Sequence, residues 1–249
     1  MYAYPILVIP AKAGIQWFQR VFWMPAFAGM TIARLFLVGV LLSTTITANA
    51  TPKIEHWTLT NGARVYFVEA RNLPMVTLNV VFDAGSARDP QGRNGLSMLT
   101  SHLINYGTGE LDADAIAATF EGLGVEFGSS NDRDMAGASL RSLTDRALLD
   151  PALDLFARVL AAPSFPTSSF ERERQRALLG LKQAEASAGD VVARAFFAQL
   201  YKGHPYALPP DGSAAGLKAL RRDDLAAFFV GWLVVAQAVF HLARRQRSV

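Results

Sequence analysis

Histidine, cysteine, serine and carboxylate side chains do most protein chemistry, and this chain holds few of them in productive patterns. It has four histidines and no cysteine in 249 residues. The absence of cysteine excludes a disulfide framework, a thiolate zinc site and a cysteine nucleophile. His56, His102 and His204 lie in the body of the chain and His241 near its end, so no two share one helical face at i, i+4. His102 falls in an apolar stretch, where a lone histidine is more often a satisfied packing residue than a ligand. His204 sits in a Gly-His-Pro-Tyr turn that backbone geometry explains. No Gly-x-Ser-x-Gly elbow and no Gly-x-x-x-x-Gly-Lys phosphate loop occurs. Asp112 and Asp114 suit the start of a helix better than paired acid–base work. Residue types and spacing alone reveal no active site.

Around these residues the chain reads as strands followed by clustered helices. His56–Thr60 and Arg64–Glu69 flank Asn61-Gly62, a hairpin signal, because Asn-Gly readily takes positive φ. Met75–Phe82 is rich in β-branched and aromatic residues and reads as a third, central strand. Asn94–Asn105 carries Leu96, Leu99 and Leu103 at helical spacing, with Gly107 as its stop. Asp112 caps a helix with Ile116, Phe120 and Leu123 on its apolar face, closed by Gly124. Val125–Ser130 and Met135–Leu143 are expected strands. Helices are expected over Ala147–Leu160, from Pro166-Thr167 to about Ser187, over Asp190–Tyr201 and around Asp223–Phe229. The pattern implies an α+β class, a largely antiparallel sheet packed against helices in a single domain.

Charge and hydropathy separate the body from its ends. Overall the chain is 51% hydrophobic and 18% charged, with a net charge of +3. Lys12, Arg20 and Arg34 stand in the first fifty residues without a single acid, so this segment carries the whole excess. The body is slightly acidic, and no nucleic-acid partner is expected. Ile9–Ile15 and Met24–Met30 are near copies, and residues 1–29 resemble the translated product of a dispersed bacterial repeat, an incidental extension. Residues 30–50 have the layout of a signal peptide: Arg34, an apolar Leu35–Leu42 run, and Ala48-Asn-Ala50 before the cut. A periplasmic or otherwise exported protein starting at Thr51 follows, with residues 51–229 as its domain. Residues 230–249 form an apolar tail with a basic end. Phe228–Ala243 reads either as a short membrane contact, as a buried last strand or helix, or as an out-of-frame tail.

Asp83-Ala-Gly-Ser86 with Asp89, the string from Asn94 to Thr108, Phe120-Glu-Gly-Leu-Gly124, Phe170-Glu-Arg-Glu-Arg174, Gly203-His-Pro-Tyr206 and Asp223–Phe228 occur in that order. Together they resemble the N-terminal domain of the pitrilysin/insulinase zinc metallopeptidase family, in its mitochondrial-processing-peptidase-like form. The resemblance implies an inverted zinc motif, H-x-x-E-H, with two ligand histidines and a glutamate base. Alignment puts Met98 at the first histidine, Ser101 at the glutamate and His102 at the second histidine; the downstream glutamate ligand falls at Leu179 or Gly180. A lone imidazole is no three-ligand site, so neither zinc nor any other cofactor is expected. The resemblance then implies a non-catalytic, truncated bacterial member. Such a chain would join an active homologous peptidase subunit in a hetero-oligomer and help it bind and enclose peptides. Two alternatives stay open: a zinc endopeptidase with an atypical metal site around His102, His204 or acidic side chains, and a nonfunctional fragment.

Overall fold

Alternation of apolar and polar residues sets the strands, and a helical apolar stripe sets the helices around them. The structure, a computed structural model, describes residues 52–59 and 62–230. The expected extension (1–29), signal peptide (30–50), apolar tail beyond residue 230, and Thr60 and Asn61 of the first turn lie outside the described residues. Strands β1 (Ile54–Thr58), β2 (Arg64–Val68) and β3 (Met75–Phe82) lead to helix α1 (Leu96–Leu103). Short strands β4 (Gly107–Thr108) and β5 (Leu111–Asp112) precede α2 (Ala113–Gly122), then β6 (Glu126–Asn131) and β7 (Ala136–Leu143). Helices α3 (Arg146–Ala161), α4 (Thr167–Glu185), α5 (Ala188–Leu200), α6 (Ala214–Ala219) and α7 (Arg222–Val230) complete the order. The expected α+β class with antiparallel sheets is what the structure contains.

The hairpin forms as expected, with β1 and β2 antiparallel from Ile54↔Val68 to Thr58↔Arg64. Gly62 takes φ +85° in its turn, which a side chain would resist. The main sheet is antiparallel in the order β3-β7-β6. Met75–Phe82 was expected to be central, and this is corrected: among the described residues it is an edge, and β7 is central. The reason lies in the pairing and in β7 itself. β1 and β2 form their own two-stranded sheet, leaving β3 only β7 as a neighbour. Ala136, Gly137 and Ala138 are buried in succession on β7, the mark of a strand enclosed on both sides. A Cβ at Gly137 would lie 2.9 Å from Ser130 Oγ and 3.2 Å from Val80 O, so flanking strands close tightly there.

The sheet's inner face, including Val80, Phe82, Ala138 and Leu140, receives α1, and Ile116, Phe120, Leu155, Phe156, Phe170, Leu217, Leu225 and Phe229 close the core around it. Full burial of one such side chain is worth about 1.5–3 kcal/mol. Phe228 and Phe229, the first residues of the stretch considered for membrane contact, lie in the last turn of α7 and pack on this core. Among the described residues no helix is long and apolar enough to cross a membrane.

Helix α1 is the centre of the packing. Seven of its eight residues are buried, and only His102 is exposed. Its N-cap is Gly95 at φ +105°, which offers no side chain to the first amides. Asp89 supplies the acceptors from outside: Gly95 N donates to Oδ2 at 2.7 Å and Ser97 N to Oδ1 at 2.8 Å. The Gly95 position is also crowded, since a Cβ there would sit 2.5 Å from Leu217 Cδ2. Gly107, expected only to stop the helix, lies instead in β4 hard against Ser164. Next to it, Thr108 Oγ1 lies 3.0 Å from Arg158 O and 3.1 Å from Ala162 O, at the C-terminal end of α3.

Asp89 carries an electrostatic cost for its placement. Burial raises its pKa from 3.8 to about 6, outweighing the lowering by the amides of Gly95, Ser97 and Leu96. The folded state therefore holds more protons than the unfolded state between about pH 4 and pH 6. Unfolding free energy should fall as pH rises through that window and level off above it, by on the order of 2–3 kcal/mol. Asp89→Asn should remove this slope in paired denaturant titrations at pH 4 and pH 7. A wild-type curve that gained stability over Asp89→Asn across the same window would contradict the buried-carboxylate assignment.

Candidate functional site

The exposed end of α1 opens onto a cavity of about 400 Å³. Helix α1 and the residues just after it contribute His102, Asn105 and Tyr106; β6 contributes Phe127 and Ser129; α4 contributes Glu173 and Arg176. The Phe127 ring is fixed by stacking on Phe120 at 5.6 Å and meeting Phe156 edge-on at 6.0 Å. One wall of the cavity is thus an extension of the core.

Glu173 is the most unusual group in this wall, a carboxylate only 6% exposed. Arg176 Nη1 donates to Oε1 at 3.0 Å and to Oε2 at 2.9 Å, an i, i+3 pair within α4. The Tyr106 hydroxyl donates to Oε1 at 3.3 Å, and Arg172 Nε lies 3.5 Å from the same oxygen. The Arg172 guanidinium also lies 5.9 Å from the centroid of the Tyr106 ring. Burial raises the pKa of the Tyr106 phenol above 10.0, and the negative charge and hydrogen bond of Glu173 raise it further; Arg176 and Arg172 oppose this.

The residues singled out by sequence are divided between core and surface. Met98 is 7% exposed and belongs to the hydrophobic cluster. Ser101 is 1% exposed, and its hydroxyl has no hydrogen-bond partner among the described residues. Leu179 is 55% exposed on α4 and does not line the cavity, while at Gly180 an added Cβ would meet nothing within 4 Å. His102 alone of this set reaches the cavity. The packing reading of His102 is therefore corrected: every other residue of α1 is turned into the core, and this one is turned out. His204 acts as expected in its turn, accepting from Tyr206 N at 3.2 Å through Nδ1. Asp112 caps α2 by accepting from Ala115 N at 2.8 Å. His56 stacks on Tyr66 across the hairpin. Among the described residues no three histidine, aspartate or glutamate side chains converge to hold a metal ion.

The arrangement of a central helix, a sheet and a helical pair with a cavity at the helix end is matched by known proteins. The sequence profile of the insulinase family, peptidase family M16, matches residues 64–210. The chain belongs to this family. A crystal structure of an M16 inactive domain from Pseudomonas fluorescens is 40% identical to it, with a TM-score of 0.69 over 71% of this chain and 43% of that one. Cytochrome b-c1 complex subunit 1 of Bos taurus is 28% identical over 177 residues, covering 71% of this chain and 36% of the relative. Mitochondrial-processing peptidase subunit beta of Lentinula edodes is 25% identical over 188 residues, or 76% and 40%. The chain thus spans well under half the length of the relatives it matches here.

Within this M16 domain, sequence reasoning overlooked Tyr106, Glu173 and Arg176. The available signal was the spacing of Glu173 and Arg176, three apart on a helix, but the Glu-Arg-Glu-Arg run resembles a solvated face. Glu173→Gln should lower the apparent pKa of the Tyr106 phenol, read from its ring carbon signal in a pH titration, with Tyr106→Phe assigning the signal. A titration unmoved by Glu173→Gln would remove the Tyr106–Glu173 contact.

Proposed function

We propose that this chain is a zinc-free, non-catalytic M16 domain that is exported to the periplasm and acts beside an active homologue, helping it bind and enclose peptides. The observation that carries this reading is the donor set at the exposed end of α1. His102 is the single imidazole there, Met98 and Ser101 are core residues, and Leu179 and Gly180 offer no donor. A catalytic zinc takes three protein ligands and leaves one position open. These residues do not fit it. Glu173 is no substitute, because Arg176 already neutralises both its oxygens. Without a metal or a free carboxylate base, the His102 imidazole is the one base left among the described lining residues, and no hydrogen bond among the described residues orients it.

Three relatives support this reading: a 40% identical M16 inactive domain supports the non-catalytic part, and a subunit of mitochondrial-processing peptidase and a subunit of the cytochrome b-c1 complex support the association. Export rests on the Met30–Ala50 pattern.

Purified full chain should contain no stoichiometric zinc by elemental analysis and cleave no peptide alone. Coexpressed with an active M16 homologue of the same cell, it should elute with it as one complex and change its peptide affinity. The exported product should begin at Thr51 on N-terminal sequencing. Stoichiometric zinc and peptide cleavage, both lost on His102→Ala, would overturn the zinc-free reading, and separate elution would overturn the partnership.

A further inference from the structure

The cavity at the end of α1 carries more cation than its buried carboxylate needs. Glu173 faces two guanidiniums, Arg176 at 2.9 Å and Arg172 at 3.5 Å. Arg176 spends one nitrogen, Nη1, on both oxygens of Glu173. Its Nη2 and Nε are left without a partner among the described residues, on a side chain that is 69% exposed. The guanidinium is therefore anchored from behind by a buried acid and open in front, a pre-organised fork for a second carboxylate. His102, exposed and without a hydrogen bond among the described residues, lines the same cavity, as do the Asn105 amide and the Ser129 hydroxyl. The Phe127 ring adds an apolar wall suited to the carbon chain behind a carboxylate.

We propose that this cavity is a carboxylate-binding site, gripping the chain end or an acidic side chain of a bound peptide through Arg176, with His102 and Asn105 as further donors. This rests on the peptide-binding reading above, and adds to it a preference for anionic peptide groups. A neutral amide can accept from the unspent guanidinium edge through one oxygen but brings neither the charge nor the paired oxygens of a carboxylate, and a cationic group would meet the excess positive charge of Arg172 and Arg176 over Glu173. Glu173 is a positioning residue here: it holds Arg176 and touches no ligand.

The test uses the full chain and small probes that need no peptide binding. N-acetylglycine stands for a chain end, N-acetylglutamate methylamide (with a free side-chain carboxylate) for an acidic side chain, and N-acetylglycinamide for the neutral control. Titration of the first or second should shift the His102 imidazole and Arg176 Nε–H signals, and the neutral control should not; whichever carboxylate binds more tightly identifies the source. Arg176→Gln should weaken binding by about tenfold or more, the loss of a charge-assisted pair. Should that variant fail to fold with Glu173 uncompensated, Arg176→Lys keeps a cation beside Glu173 and should still weaken binding through loss of the fork. Equal shifts with the amide control, no shift with any probe, or binding unchanged in Arg176→Lys would overturn the carboxylate site. Peptide binding is read separately, with fluorescein-labelled peptides bearing a free or an amidated end. Peptides that bind regardless of their carboxylates overturn only the site. N-acetylglycine binding without any peptide binding overturns only the peptide-binding reading.

Discussion

Burial of α1 on every side but one is the constraint on which the rest of the structure depends. A helix enclosed by sheet and helices cannot solvate its own ends with water, so its first amides need acceptors from the protein. Gly95 cannot provide one, because close packing against Leu217 and a φ of +105° require a residue without a side chain there. Asp89 meets the need at the cost of its own desolvation. At the same end, Arg93 pairs with Asp224, linking the start of α1 to α7. In the same first turn, Ser97 Oγ donates to Ala84 O at 2.5 Å and touches the Asn131 side chain, tying α1 to the chain just after β3 and to the end of β6, the two outer strands of the main sheet.

The same burial explains why α1 brings so few polar donors to the cavity. Met98 and Ser101 are turned where a helix in the middle of a core turns its residues, inward. Met98 suits that position, since a flexible thioether fills irregular space. Ser101 does not suit it fully: a buried hydroxyl without a partner costs about 1–3 kcal/mol. An ionised carboxylate at Ser101 would cost far more without a cation beside it. Position 101 is thus packed as a small core residue. His102 escapes because it faces the cavity between α1, β6 and α4.

Much of this architecture could be read from the chain, and the misreadings have physical causes. The long helices were legible because their apolar stripes are regular, and for α2 because Asp112 is an explicit cap; Asp145 and Ser187, which cap α3 and α5, were not read as such. The rank of β3 in the sheet was not, because its apolar composition is as compatible with an edge as with a centre; pairing partners decide that, and pairing is non-local. Helix α6 was missed because it is six residues long with Leu217 as its main anchor, and Ser213, whose hydroxyl caps it, sits in an Asp-Gly-Ser run that resembles a turn. The exposure of His102 was hidden because Ser97, Thr100 and Ser101, as polar as it is, are buried on the same helix, so polarity did not mark the outward residue.

Glu173 and Arg176 show how the cavity wall is held together by charges of the chain's own. A carboxylate buried in low dielectric is costly unless paired and hydrogen-bonded. Here the pairing cation comes from the next turn of the same helix, and the phenol of Tyr106 completes the shell. Because α4 itself brings the two charges together, their geometry follows whenever the helix forms, without reliance on His102 or on any ligand. That independence fixes the consequence of losing each member. Removal of Glu173 frees a solvated arginine, whereas removal of Arg176 leaves a buried acid with Tyr106 and the more distant Arg172 as its remaining polar contacts. The second loss is the more severe, so the guanidinium is the member of the pair that the fold least tolerates replacing. It is also the member with donors to spare. A single residue therefore joins the stability of the cavity wall to its capacity to bind, and selection on either would preserve the other.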